Sequence, residues 1–170
     1  AVAADIMESG FPDQHDLRSV IGVHVHPNLP LDSIPAGSGV VNAAADEFSI
    51  VVEGLGGHAA YPHMTPDTIV AMAQIISAAQ TIVSRRVDPM HPAVLSFGVL
   101  QSGTAANVIP ALSAASGSIR SSNNEDRSLM ARDLEKLLTL VAAAHGCVGR
   151  LQVPAGGPVC DDGFRPVGAV

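Results

Sequence analysis

The stretch Glu47-Phe-Ser-Ile-Val-Val-Glu-Gly-Leu-Gly-Gly-His-Ala-Ala-Tyr-Pro-His63, closed by Thr65-Pro-Asp67, joins a strand pattern to a helix start. Phe48, Ile50 and Val52 fall on one side, and Glu47, Ser49, Val51 and Glu53 on the other, the period of two of a half-buried strand. Thr65-Pro-Asp67 opens a helix, with Pro66 at its first position and Asp67 complementing its dipole. Between them Gly54, Gly56 and Gly57 permit a backbone path that other residues resist. A histidine held on such a path, His58, is a candidate working group, because histidine as a residue type changes charge near neutral pH. The residues equally admit a loop in which His58 only hydrogen-bonds locally.

Downstream, Ile69, Met72, Ala73, Ile76, Ala79 and Val83 recur at helical spacing and predict a buried stripe, with Arg85 and Arg86 at the C-terminal end. The opposite face (Ala71, Gln74, Ala78, Thr81) is small and uncharged, which suits packing against a partner. Asp88-Pro-Met-His-Pro92 reads as a turn, 93–101 as a strand, 102–107 as a loop of small residues and 112–120 as a further strand. Asn123 or Asn124 caps a second helix whose stripe is Met130, Leu134, Leu137, Leu138 and Val141, and which Gly146 ends. Residues 148–153 form a last strand. The order β-α-β-β-α-β predicts an α+β, ferredoxin-like domain: a four-stranded antiparallel sheet with both helices on one face.

Upstream the signals are weaker. Residues 3–9 read as a helix end stopped by Gly10, and 11–18 as a polar connection. Residues 20–26 alternate as a buried strand closed by Pro27, with His24 and His26 on the same face. Two imidazoles so placed could ligate metal or could be structural, and no cysteine or carboxylate close in sequence completes a site. The Pro-, Gly-, Ser- and Ala-rich run from 29 to 46 predicts a domain boundary near 43–46.

The chain has 170 residues, 47% hydrophobic but only 3% aromatic with no Trp, so aliphatic side chains and alanine must fill the core. Its net charge of −7 argues against nucleic acid as a partner. No apolar run approaches the length of a membrane span, so no membrane partner is expected. The opening Ala-Val-Ala-Ala-Asp5 lacks a signal-peptide shape and reads as the middle of a longer chain. Cys147 and Cys160 form neither a disulfide framework nor a zinc module, which points to a reduced, cytoplasmic setting.

Three strings in order, Gly22-Val-His-Val-His-Pro27, Gly56-Gly-His-Ala-Ala60 and Gly103-Thr-Ala-Ala-Asn-Val-Ile-Pro110, occur with Val83-Ser-Arg-Arg-Val-Asp-Pro89 and Gly117-Ser-Ile-Arg120. Together they resemble the amidohydrolase branch of the aminoacylase and hippurate hydrolase metallopeptidases, over about residues 5–162. The resemblance implies a catalytic domain with two divalent metal ions (zinc, manganese or similar), interrupted by a lid domain that forms a homodimer. Residues 1–43 would then be part of the catalytic domain, 46–154 the lid and 155–170 the start of the return. It further implies that His24 ligates one metal and that His58 is catalytic, reaching the partner's active site to donate to the oxyanion of the tetrahedral intermediate. Asn107 would lie close to bound substrate, and Arg120 would hold the substrate carboxylate with its two-donor fork. The residues alone leave Asn107 open as a turn residue and Arg120 as a solvated charge.

The family's Cys-Gly-His-Asp string, paired glutamates and final metal-binding histidine are absent from these 170 residues. The expectation is therefore a parent enzyme that cleaves the amide bond of N-acyl amino acids or similar conjugates. This chain is its lid and dimerisation region, inactive and without stable metal by itself. The alternative is a non-catalytic dimerisation or interaction module, or a degenerate gene product. His63 and His91 are expected at the surface, His145 as a charge at a helix C-terminus, and Cys147 as a small apolar filler.

Overall fold

In the computed structural model, which describes residues 9–15, 30–32, 40–154 and 160–161, the alternating run at 47–53 belongs to a ten-residue strand. In chain order the elements are α1 (Phe11–Gln14), β1 (Val40–Asn42), β2 (Ala44–Glu53), β3 (Gly57–His58), a 3-10 turn (Pro62–Met64), α2 (Thr68–Arg86), β4 (Ala93–Ser102), β5 (Val108–Ile109), β6 (Leu112–Ser121), α3 (Asn124–Ala144), β7 (Val148–Gln152) and β8 (Cys160–Asp161). The chain divides into two compact units, residues 1–41 with 160–170, and residues 42–159. The strand expected at 20–26, with His24 and His26, lies outside the described residues. Phe11–Gln14 forms a helical turn rather than a polar connection, since Pro12 suits a helix start. Strands β1 and β8 form a two-stranded sheet.

In the larger unit the sheet order is β4-β6-β2-β7, with every neighbouring pair antiparallel. This is the split β-α-β arrangement expected from the element order, an α+β fold with α2 and α3 on one face. Strand β2 starts at Ala44 rather than 47. Ala44 and Asp46 continue the inward alternation, and the buried Asp46 carboxylate accepts two hydrogen bonds from the Arg127 guanidinium of α3. That pairing makes a buried carboxylate tolerable within the strand.

The core lies between one sheet face and the helices. Phe48, Ile50 and Val52 of β2 and Ile119 of β6 meet Met72 and Ile75 of α2 and Met130, Leu134 and Leu138 of α3. Helix α2 begins at Thr68, with Asp67 as its N-cap accepting from the Ile69 and Val70 backbone N–H groups, not at Thr65. The Thr65 hydroxyl instead donates to the Gly56 carbonyl. The buried stripe of α2 is Thr68, Ala71, Met72, Ile75, Ala79 and Ile82, shifted by about one residue from the expected one. The helix is apolar on nearly every side, so periodicity alone admits both stripes. Helix α3 follows its expected stripe and its Asn123 cap, whose side chain accepts from the Glu125 N–H.

Candidate functional site

The segments around residues 57 and 108 meet in a two-stranded ribbon in which His58 pairs with Val108 and Gly57 with Ile109. Two glycines make the approach feasible. Gly56 has φ +69°, and a Cβ on Gly57 would lie 2.9 Å from Thr65 Cγ2. The Ala59 N–H donates to the Asn107 carbonyl at 3.0 Å, so His58 and Asn107 occupy one end of the unit. Both are exposed.

His58 Nδ1 accepts the Ala60 backbone N–H at 3.1 Å. An imidazole nitrogen that accepts is unprotonated, so the proton of the neutral ring sits on Nε2. No further hydrogen bond to the ring is formed among the described residues. The local bond expected of a mere loop histidine is therefore present, and its consequence is a donor on the ring's outer nitrogen. Tyr61 lies beside the ring, with centroids 5.6 Å apart, and the Tyr61 N–H donates to the His58 carbonyl.

Arg120 is not brought to this end. It sits on β6, opposite Ala45 of β2 and Val94 of β4, on the sheet face away from the helices. From Leu112, where β6 begins near the ribbon, it is roughly 26 Å away at about 3.3 Å per strand residue. Its side chain is exposed and forms no ion pair among the described residues.

Among the described residues no group of three or more His, Cys, Asp or Glu side chains could hold a metal ion. His63 is exposed, and His91 pairs with Asp126 at 2.7 Å. His145, at the C-terminus of α3, shares a hydrogen bond with Gln74 Oε1 at 3.0 Å. Cys147 is buried, as a filler should be. Burial, and secondarily the charge of Asp67, push its thiol pKa up. No helix among the described residues is long and apolar enough to cross a membrane.

Sequence reasoning missed a run of hydroxyls behind the ribbon. The Thr68 hydroxyl donates to the Pro110 carbonyl at 3.0 Å, the Ser113 hydroxyl to Thr68 at 2.9 Å, and Ser102 lies 2.6 Å from Ser113. Their one sequence signal is an inward-facing Ser or Thr at an element end, too common to single out.

The profile of the peptidase dimerisation domain matches residues 42–145. The N-acetyldiaminopimelate deacetylase of Bacillus velezensis is 32% identical over 152 residues, covering 89% of this chain and 39% of the relative. The N-acetyl-L-cysteine deacetylase of Bacillus subtilis is 34% identical over 163 residues, covering 95% of this chain and 39% of the relative. Among solved structures, a dinuclear metal-binding peptidase of the M20 family from Bacillus subtilis superposes with a TM-score of 0.69 at 26% identity, covering 94% of this chain and 38% of that one. The chain thus spans less than half the length of these relatives. Deacetylase relatives do not favour the alternative of a free-standing, non-catalytic module. The chain belongs to the M20 peptidase family and carries that family's dimerisation domain.

Proposed function

We propose that this chain is the lid and dimerisation region, residues 46–154, of a cytoplasmic metal-dependent amidohydrolase. Residues 1–43 and 155–170 belong to its catalytic domain. The longer protein releases an amino acid from an N-acyl or similar conjugate, and this chain alone does not turn over substrate. Support for the reaction class comes from the deacetylase relatives.

The observation that carries the mechanism is the separation of His58 and Asn107 from Arg120 at opposite ends of one unit. A small N-acyl amino acid cannot span roughly 26 Å of strand. One protomer's Arg120 and its partner's His58 and Asn107 can, however, face the same substrate in a two-fold dimer. Arg120 then holds the free carboxylate, and Asn107 borders the scissile amide. His58, with Nδ1 occupied by the Ala60 N–H, presents Nε2–H to the oxygen that gains charge as the carbonyl is attacked. Two divalent cations in the longer protein, with His24 among their ligands, would supply the Lewis acid and an activated water. His24 lies outside the described residues.

The test is subunit complementation in the metal-loaded full-length protein. His58→Ala and Arg120→Ala should each abolish most hydrolysis of an N-acetyl amino acid while retaining metal. Mixing the two variants and allowing exchange should restore about one quarter of wild-type activity, since half the dimers are mixed and each mixed dimer has one intact site. No recovery in exchanged dimers would assign His58 and Arg120 to one chain's site and sink this arrangement.

A further inference from the structure

We propose that the linked hydroxyls of Ser102, Ser113 and Thr68, the last two buried, are a positioning device for His58 and Asn107, an inference that rests on the reading of those two residues just given. Each hydroxyl has one proton to donate. Ser113 gives its proton to Thr68 and Thr68 gives its own to the Pro110 carbonyl, so the donor in the contact between Ser102 and Ser113 is Ser102. The chain of donors therefore runs one way, and each link polarises the next.

Its two ends have a clear relation to the site. Ser102 is the last residue of β4, and Pro110 follows the last residue of β5. They are the two feet of the loop that carries Asn107. Residues 103–108 of that loop are all exposed, and within it the Val108 N–H donates to the Ala105 carbonyl at 3.2 Å. What holds it is Ile109, 7% exposed, the ribbon with β3, the Ala59-to-Asn107 bond, and the hydroxyl chain at its base. Thr68 and Ser113 are both 0% exposed, and Thr68 is the first residue of the capped helix α2. The chain thus references the loop to a rigid element. Shape alone does not require a hydroxyl at position 68, since valine has the same outline.

A group that must reach into a site on another subunit depends on its base for aim. A misplacement of about 1 Å can lower turnover by on the order of 100-fold. In the metal-loaded full-length protein, Thr68→Val and Ser113→Ala should lower kcat by about 10- to 100-fold with KM, metal content and dimerisation retained. Thr68→Ser, which keeps the donor, should restore kcat to near the wild-type value. Amide hydrogen exchange at Ala59, whose N–H bonds to Asn107, should accelerate in Thr68→Val, while exchange at Ile50 in the sheet centre should not. Wild-type kcat in Thr68→Val beside an inactive His58→Ala would overturn this inference and leave the reading of His58 standing. Unchanged Ala59 exchange in Thr68→Val would overturn it as well. Full turnover by His58→Ala would overturn both.

Discussion

Cys147 shows how much one side chain's surroundings decide. It is 5% exposed, packs into the core between the sheet and the helices, and has its thiol pushed up by burial and by Asp67. A thiol held protonated is a poor nucleophile, so site-resolved mass spectrometry should find Cys147 alkylated at least ~10-fold more slowly in the folded chain than in urea. The same shift has a consequence for stability. Because the folded value lies above the unfolded one, the unfolded chain releases this proton first as pH rises. The contribution is complete below the ordinary thiol range and is lost as pH climbs through the folded value. Cys147→Ala should flatten that alkaline slope in unfolding midpoints measured across pH. The Arg127 guanidinium is also raised, chiefly by its hydrogen bond to Asp46. It titrates far above the neutral range and contributes no slope there. Cys147 was legible from sequence as a small apolar residue after a helix-ending glycine. The buried Asp46–Arg127 pair was not, because its partners are distant in sequence and each alone looks like a surface charge.

At the scale of elements, sequence legibility follows pattern length. Strand β2 and helix α3 carry many periods of one alternation and could be read directly. Helix α2 is apolar on nearly all sides, so its buried stripe could be settled only by what it packs against. The ribbon of β3 and β5 is two residues on each side, too short for any period, and yet it brings His58 to Asn107. That proximity was available only from the fold. The pairing of β4 with β6 depends on a single missing side chain. A Cβ on Gly117 would lie 2.0 Å from the Ser96 carbonyl oxygen and 2.6 Å from Cζ of Phe48, whose ring meets Phe97 edge-on at 5.1 Å. Neither the backbone nor the packed ring can yield cheaply. Gly117→Ala should therefore cost about 2–3 kcal/mol, read as a lower urea midpoint at unchanged slope. Gly98, which lies where the β4 register shifts between Phe97 and Val99, has nothing within 4 Å of an added Cβ. Gly98→Ala should stay within about 0.5 kcal/mol of the parent, separating the steric effect from a general loss of glycine.

For the whole molecule, the outer side of α2 and the free edge of β4 belong to one argument. Ile69 and Val70 are 46% and 44% exposed, and with Ala73, Gln74, Ser77 and Ala78 they line a shallow, mostly apolar depression. Among the described residues strand β4 ends the sheet, with Val99 and Leu100 exposed beside an edge that no described strand pairs. An unpartnered edge and an apolar helix face on a dimerisation domain fit a second copy of the same chain. In a two-fold interface the same surface meets itself, so a charge introduced there meets its own copy or a like neighbour. Val70→Asp combined with Ala73→Asp adds acidic residues near the N-terminal end of α2, where they suit the helix dipole and leave the fold intact. In the metal-loaded full-length protein this pair should shift sedimentation from dimer to monomer. If His58 works across the dimer, the monomer should also lose hydrolysis while its metal content and unfolding midpoint stay near the parent's. A monomer that still turned over substrate at the parent rate would place His58 and Arg120 in the service of one chain. That result would overturn the cross-dimer arrangement, which is argued from the roughly 26 Å of β6 between Leu112, near the ribbon, and Arg120.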